Sequence, residues 1–151
     1  GPNVMSGYYL YDNPGVLKVP SSEIGDGWYS TGDVVEIDED NFVRILGRVK
    51  RFAKVAGEMV SLEVVEQIAN RASPAFQHAA STQADAQRGE SIILFTTDAA
   101  LTREMLKTAA KELGSPELAI ARKIICLKGL PLLGTGKTDY ISLKNMAEAA
   151  Q

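Results

Sequence analysis

The sequence predicts an α+β fold, in which a strand-rich segment precedes a small domain of helices packed on a mixed sheet. Up to residue 48, glycine and proline are frequent, and the short apolar runs show no helical periodicity. Beyond residue 50, two stretches carry apolar residues at helical spacing, and strand-like apolar runs lie between them. With 151 residues, of which 45% are hydrophobic, the chain is long enough to bury a modest core.

The first third of the chain is extended and rich in turns. Short apolar runs such as YYLY and VLKV alternate with glycine and proline, and VVEI and FVRIL flank the polar stretch DEDN. Two apolar runs joined by polar turn residues are typical of a β-hairpin. Because nothing in residues 1–48 resembles a self-contained hydrophobic core, we expect this segment to be the edge of a larger body.

The remaining elements follow from periodicity and capping signals. Ser61 is a candidate N-cap for the amphipathic helix LEVVEQIANRA, and the strands FQHAAST and SIILFTT follow it, joined by the polar turn ADAQRGE. Thr102 is predicted to cap a second helix that ends before Gly114. The strand RKIICLK and the short helix LKNMAEAA complete the predicted domain.

Composition and charge argue against several classes of function. The formal net charge of −3 argues against a dedicated nucleic-acid binder, which usually has a basic surplus. The single cysteine, Cys126, excludes an intramolecular disulfide, and its apolar neighbours predict a buried position. With His78 as its one histidine, the chain has no ligand set typical of zinc, so no metal site is predicted. No apolar stretch approaches the roughly 20 residues that cross a bilayer, and we expect a soluble, cytoplasmic chain.

The stretch PLLGTGKT, residues 131–138, differs by one residue from a nucleotide-binding P-loop. Pro131 stands where that pattern has its first glycine, and it removes a backbone N–H from the loop. Beyond Lys137 the sequence has no further strand that could supply the acidic residue such sites use. A P-loop phosphotransferase is therefore a weak alternative, and it predicts tight Mg-ATP binding by this chain alone.

Three motifs occur in the order typical of one enzyme superfamily. GWYSTGD, GRVKRFAKVAGEMVSLEVVE and LPLLGTGKTDY resemble the C-terminal end of the adenylate-forming enzymes, which include acyl-CoA synthetases, luciferases and peptide-synthetase adenylation domains. Within that superfamily, GPNVMSGYY and the two later motifs are similar to the bacterial bifunctional 2-acylglycerophosphoethanolamine acyltransferase/acyl-[acyl-carrier-protein] synthetases. The resemblance implies that residues 1–48 are the β-rich end of a large N-terminal domain, residues 49–51 a hinge, and residues 52–151 a mobile C-terminal lid domain.

The resemblance also implies roles in the ATP-dependent activation of a carboxylic acid. Asp33, in TGD, corresponds to the aspartate that binds the ribose hydroxyls of ATP, and a carboxylate suits this role because it accepts from two neighbouring hydroxyls. Arg48 would lie near the nucleotide, and Lys50 occupies the hinge position, where no periodic element is predicted. Lys137 corresponds to the catalytic adenylation lysine, whose charge offsets the charge that develops as the carboxylate attacks ATP.

The second motif is implied to serve thioester formation. Gly57 would leave room for the pantetheine arm of the acceptor, and Lys54 and Arg51 would meet an acidic acyl carrier protein. The implied cofactors are ATP and Mg²⁺, held mainly by the large domain, and the phosphopantetheine of acyl carrier protein or coenzyme A. A long-chain fatty acid and a lysophospholipid are the implied substrates, and the whole enzyme is expected at the cytoplasmic face of the bacterial inner membrane. These 151 residues lack the phosphate loop and most of the acyl pocket, so we expect them to be inactive alone.

The sequence departs from the family pattern at three positions. Ser30 stands where Arg or Lys usually precedes TGD, Leu133 where a polar residue is usual, and Tyr140 where arginine is frequent. Two alternatives stay open besides the P-loop. One is the lid of an acyl-CoA synthetase that uses coenzyme A. The other is a non-catalytic module that binds nucleotide or a carrier protein, which predicts a self-sufficient fold over residues 1–48.

Overall fold

A computed structural model describes residues 4–150, which divide into two units. The first unit extends to Val49, and the second begins at Lys50. The first contains six short strands: β1 (Tyr8–Tyr9), β2 (Leu17–Lys18), β3 (Ser21–Ser22), β4 (Gly25–Asp26), β5 (Asp33–Ile37) and β6 (Val43–Arg48). They pair in sequence as three antiparallel hairpins.

The β5–β6 hairpin is the longest of the three and confirms the prediction for this stretch. Its turn is organised by Asp38, whose Oδ1 accepts hydrogen bonds from the backbone N–H groups of Asp40 and Phe42. A β-bulge interrupts the register between Val34 and Val35. Such side-chain bonds to nearby backbone are the reason that aspartate favours turns.

The first unit has no hydrophobic core among its described residues. Of residues 4–49, only Pro20 and Gly47 are buried. Trp28, Phe42 and Ile45 leave 58%, 73% and 66% of their surface exposed. These values confirm the expectation from sequence that this segment does not bury a core of its own.

The second unit is built on a mixed sheet. Its elements are a 3₁₀ turn (Val49–Arg51, which crosses the boundary), β7 (Phe52–Val55), β8 (Glu58–Ser61), α1 (Leu62–Ala72), β9 (His78–Asp85), β10 (Gly89–Thr96), α2 (Arg103–Glu112), β11 (Lys123–Cys126) and α3 (Tyr140–Ala149). Strand β10 is central: β9 pairs with its whole length in antiparallel register, β11 pairs with it in parallel, and β7 meets it at Gly89. The predicted α+β fold with helices on a mixed sheet is confirmed.

Helices cover both faces of this sheet, because β10 is apolar on both sides. Ile92 and Leu94 pack with α1 and α2, whereas Ile93 and Phe95 pack with Leu143 of α3. Side chains of successive strand residues point to opposite faces, so this alternation places α3 on the face away from α1 and α2.

Most element boundaries agree with the sequence, and two caps explain how helices begin. Thr102 Oγ1 accepts a hydrogen bond from the backbone N–H of Met105, as its N-cap position predicts. Ser61 does precede α1, but its hydroxyl is buried and bonds to no described atom. Helix α3 begins at Tyr140, three residues before the predicted helix LKNMAEAA, because Asp139 caps it.

Two sequence expectations were wrong, and one hairpin was not predicted. Cys126 is exposed rather than buried, because it ends β11 at the margin of the sheet. Residues Val49–Arg51 form a 3₁₀ turn, where no periodic element was expected. The β7–β8 hairpin was not predicted, because Phe52–Val55 and Glu58–Ser61 are short and carry polar residues.

Across residues 4–150, no helix has the length and apolar character needed to span a bilayer. The same residues place no group of three or more His, Cys, Asp or Glu side chains where they could hold a metal ion. The ring of His78 bonds through Nε2 to the carbonyl oxygen of Ser73 at 2.8 Å. The histidine therefore has a structural partner inside the fold.

Candidate functional site

Asp33 and Arg48, two of the predicted nucleotide-binding residues, are direct partners in the first unit. They face each other across the β5–β6 hairpin, and Arg48 Nε lies 2.9 Å from Asp33 Oδ1. Arg48 also donates from Nη1 to the carbonyl oxygen of Thr31 at 2.8 Å. The Asp33 side chain is 17% exposed and that of Arg48 is 61% exposed. Arg48 therefore holds the Asp33 carboxylate in a fixed orientation, with Oδ2 left for a further donor.

Lys137 lies in a short hairpin that the sequence presented as a possible phosphate loop. Leu132 and Thr138 form an antiparallel bridge, and the backbone N–H of Leu133 donates to the carbonyl oxygen of Lys137 at 2.8 Å. The turn closes at Gly136, whose φ of +81° favours glycine. Lys137 is exposed, and within residues 4–150 it forms neither an ion pair nor a side-chain hydrogen bond. Its ammonium group is therefore available to a ligand.

The helix that follows this hairpin does not offer a phosphate cradle. Asp139 Oδ1 accepts from the backbone N–H groups of Ile141 and Ser142, each at 3.1 Å, and Oδ2 accepts from the Ser142 hydroxyl at 2.7 Å. These bonds, with that from the Ser142 hydroxyl the largest cause, hold the pKa of Asp139 below its ordinary value. A carboxylate that already occupies the helix N-terminus repels a phosphate, so the P-loop alternative is not supported.

Gly57 is in the two-residue turn that joins β7 and β8. Ala56 has φ +53° and Gly57 has φ +89°, the left-handed values of a type I′ hairpin turn. A Cβ placed on Gly57 would meet no described atom within 4 Å. The backbone conformation thus favours glycine at this position, and the outer side of Gly57 is open to a ligand.

Lys50 and Lys54 are both exposed but lie in different surroundings. Lys50 is the middle residue of the 3₁₀ turn at the start of the second unit. Lys54 is on β7, and its backbone N–H donates to Glu90 Oε2 at 2.6 Å. Together with Gly57, Arg88 and Glu90, Lys54 lines a shallow cleft beside the turn.

Arg51 does not belong to an exposed basic surface, contrary to the expectation that it meets a carrier protein. Its side chain is 14% exposed and forms a 2.6 Å ion pair with Glu66, which is 16% exposed. A second bond runs from Arg51 Nη1 to the carbonyl oxygen of Ala80 at 2.9 Å. The guanidinium also lies 3.8 Å from the centre of the Tyr140 ring. Its guanidinium is therefore engaged inside the fold on two edges and one face.

Sequence reasoning missed a cleft lined by three arginines. Arg88, Arg103 and Arg122 surround a volume of about 600 Å³ that also has apolar walls and one acidic residue, Glu117. Arg122 is paired with Asp85 at 3.1 Å, but no ion pair is formed by Arg88 or Arg103 among the described residues. The three arginines are 15 to 34 positions apart in sequence, and only the fold of the sheet brings them together. The cleft is positively charged and lies next to Val55, which precedes the Ala56–Gly57 turn.

Comparison with known proteins supports the resemblance seen in the motifs. No protein-family model matches this chain. A 2-hydroxy-7-methoxy-5-methyl-1-naphthoate–CoA ligase of Streptomyces carzinostaticus is 33% identical over 150 residues, which cover 97% of this chain and 26% of the relative. A long-chain-fatty-acid–CoA ligase of Salmonella typhimurium is 34% identical over 110 residues, covering 72% of this chain and 19% of the relative.

The fold agrees with solved structures of similar proteins. The crystal structure of ATP-bound MatB from Rhodopseudomonas palustris matches 83% of this chain with a TM-score of 0.65 at 23% identity, and the match covers 25% of that protein. The chain spans about a quarter or less of the length of the curated relatives it matches. Together with the ordered motifs, these matches show that the chain belongs to the adenylate-forming acyl-CoA and aryl-CoA ligase superfamily and corresponds to the C-terminal region of its members.

Proposed function

We propose that the whole protein containing this chain is an ATP-dependent acid–thiol ligase, which converts a carboxylic acid first into an acyl-adenylate and then into a thioester. The observation that carries this proposal is the exposed Lys137, which a closed hairpin presents with no side-chain partner among residues 4–150. A lysine in such a position is a mobile point charge that can reach a phosphate from a loop.

In the proposed first step, the substrate carboxylate attacks the α-phosphorus of ATP, and the bond to pyrophosphate breaks. Lys137 stabilises the negative charge that develops on the carboxylate and α-phosphate oxygens. Asp33 binds the ribose hydroxyls through Oδ2, because the 2.9 Å ion pair with Arg48 engages Oδ1. Mg²⁺ and the phosphate loop would be supplied by parts of the protein outside this chain.

In the proposed second step, a thiol attacks the acyl carbon and AMP leaves. The open outer side of Gly57 lets a narrow pantetheine arm pass close to the backbone. We propose holo acyl carrier protein as the acceptor and a long-chain fatty acid as the acyl donor. The arginine-lined cleft replaces Arg51 as the candidate contact for an acidic carrier, because Arg88 and Arg103 are exposed whereas Arg51 is paired inside the fold.

The more specific form of this proposal is the bifunctional enzyme indicated by the motifs. Its acyl group would be passed on to 2-acylglycerophosphoethanolamine, at the cytoplasmic face of a bacterial inner membrane. The second candidate acceptor is coenzyme A, which is favoured by the names of both relatives described above. The phosphates of coenzyme A would also suit a cleft with three arginines.

The test uses the whole protein in two separate assays. Lys137→Ala should lower fatty-acid-dependent exchange of pyrophosphate into ATP by about 100-fold or more, because it removes charge stabilisation made in the transition state. Arg71→Met is the matched control, since Arg71 is an exposed arginine paired with Glu112. Unchanged exchange in Lys137→Ala would refute the ligase proposal. Product on holo carrier protein, and not on coenzyme A, would support the bifunctional form; the reverse would assign an acyl-CoA synthetase.

A further inference from the structure

A partly buried polar cluster joins four parts of the second unit; we call it the Arg51 cluster, and it comprises Arg51, Glu66, Ala80 and Tyr140. Arg51 directly precedes β7, Glu66 is on α1, Ala80 is on β9, and Tyr140 is the first residue of α3. Glu66 Oε1 accepts both from Arg51 Nη2 at 2.6 Å and from the backbone N–H of Ala80 at 2.8 Å. The cluster therefore connects the turn at the start of the unit to both faces of its sheet.

The cluster also completes the outer edge of β9. That edge pairs with no other described strand, and side chains satisfy its backbone instead. Arg51 and Glu66 bond to the carbonyl oxygen and N–H of Ala80, and Lys144 of α3 bonds to the carbonyl oxygen of Thr82 at 3.1 Å. A buried backbone group without a partner is costly, so these side chains have little freedom to move away.

Tyr140 connects the outer edge of β9 to the hairpin that carries Lys137. Its ring covers the Arg51 guanidinium at 3.8 Å, and Lys137 lies three residues before it in the chain. Between them, Thr138 is held by the bridge to Leu132, and Asp139 is held by its bonds to Ile141 and Ser142. With both intervening residues fixed, a displacement of Tyr140 is passed on to the backbone of Lys137.

We propose that Arg51 and Tyr140 are positioning residues for Lys137: their stack fixes the start of α3, and with it the Lys137 hairpin, against the turn that begins the second unit. This inference rests on the proposed role of Lys137 in adenylate formation. A cation over an aromatic face is suited to the task, because the contact has a preferred geometry and tolerates the partial exposure of Tyr140. The sequence placed Arg51 in a basic run and Tyr140 at a departure from the family pattern; the structure shows that the two belong together.

The test measures the two half-reactions separately in the whole protein. Arg51→Met and Tyr140→Leu should lower kcat for ATP–pyrophosphate exchange by roughly 10- to 100-fold, with KM for ATP changed less than about threefold, because a small misplacement of a catalytic group affects the transition state most. Transfer of the acyl group from supplied acyl-adenylate should stay at the wild-type rate. Tyr140→Phe keeps the ring over Arg51 and should restore the exchange activity that Tyr140→Leu loses. Arg71→Met controls for loss of an arginine ion pair elsewhere on α1.

Hydrogen exchange supplies a readout that does not depend on activity. The amides of Leu133 and Gly136, which bond across the hairpin, should exchange faster in Tyr140→Leu than in Tyr140→Phe. An equal loss of both half-reactions would overturn the inference. An unchanged rate of ATP–pyrophosphate exchange in Tyr140→Leu would also overturn it. If Arg51→Met fails to fold because Glu66 is left unpaired, the two Tyr140 variants decide alone. If Lys137→Ala keeps full activity, the proposed function fails. If Lys137→Ala loses activity but the Arg51 and Tyr140 variants keep it, only this inference fails and the proposed function stands.

Discussion

Replacing Gly57 by alanine tests whether the open space beside this residue is used by a ligand. Backbone strain from the alanine would lower the stability of the fold, whereas obstruction of the ligand would lower the rate of acyl transfer. The φ of +89° at Gly57 lies in the left-handed region, where an L-residue costs about 1–2 kcal/mol. Alanine also restricts the unfolded chain, which returns about 0.4–1 kcal/mol of stability. Because the new methyl group meets no described atom within 4 Å, no steric term is added. The expected loss of folding free energy is therefore small, roughly 0–1.5 kcal/mol.

Gly114→Ala is the matched control for this experiment. Gly114 has φ +63°, a Cβ there also meets no described atom within 4 Å, and it follows α2, outside both proposed ligand-binding loops. Urea unfolding should give the two variants similar stabilities. Acyl transfer to the thiol should fall at least about tenfold in Gly57→Ala alone, because the methyl group enters the path of the pantetheine arm, while pyrophosphate exchange is kept. Equal transfer rates in the two variants would refute the proposed path, and a stability difference above about 2 kcal/mol would refute the inferred open space.

Two further predictions concern stability. Leu143→Ala should lower the free energy of unfolding by about 2–5 kcal/mol in urea titration, since Leu143 is fully buried against Phe95 and Ile93; a loss below about 1 kcal/mol would contradict the packing of α3. Asp98 is buried, and its hydrogen bond from the Ser73 hydroxyl, followed by that from the Ala100 N–H, holds its pKa below the ordinary 3.8. The stability that Asp98 contributes is present above the pKa of this carboxyl in the unfolded chain, and it is lost as the pH falls through its pKa in the folded protein. Thermal melts between pH 6 and 3 should therefore show a smaller loss of Tm in Asp98→Asn than in the wild type. An identical acid sensitivity of variant and wild type would argue against this assignment.

Local signals were sufficient for helices α1 and α2 and for the β5–β6 hairpin. The caps Thr102 and Gly114 and the apolar face of LEVVEQIANRA depend on residues close in sequence, which is why α1 and α2 follow from the sequence. The β7–β8 hairpin was missed because its turn lacks the Asn–Gly or Asp–Gly pair that usually indicates such a turn. Its first residue is instead Ala56, with a positive φ that alanine rarely adopts. Cys126 was misplaced because the apolar run KIICLK does not show where its strand reaches the margin of the sheet.

Local sequence signals also revealed only part of the candidate site. Roles for Asp33, Gly57 and Lys137 could be predicted from the sequence, since each motif is contiguous, and they stay predictions. The partners of these residues could not: Arg51 joins Glu66, Ala80 and Tyr140 over separations of up to 89 positions, and charge patterning alone gave no reason to remove it from the basic run. Long-range ion pairs of this kind become visible only when the sheet topology is known.

The two functional loops of the second unit are fixed at opposite ends of β7. The Ala56–Gly57 turn follows the last residue of this strand, whereas Arg51, just before its first residue, contacts Tyr140 and through it the Lys137 hairpin. Four strand residues span about 13 Å at about 3.3 Å each, which is longer than the acyl-phosphate group on which both steps of the proposed reaction take place. On the proposed function, we therefore expect this unit to present the two loops to the acyl carbon in turn. Lys50, immediately before Arg51, is the position at which we expect the chain to rotate between the two steps.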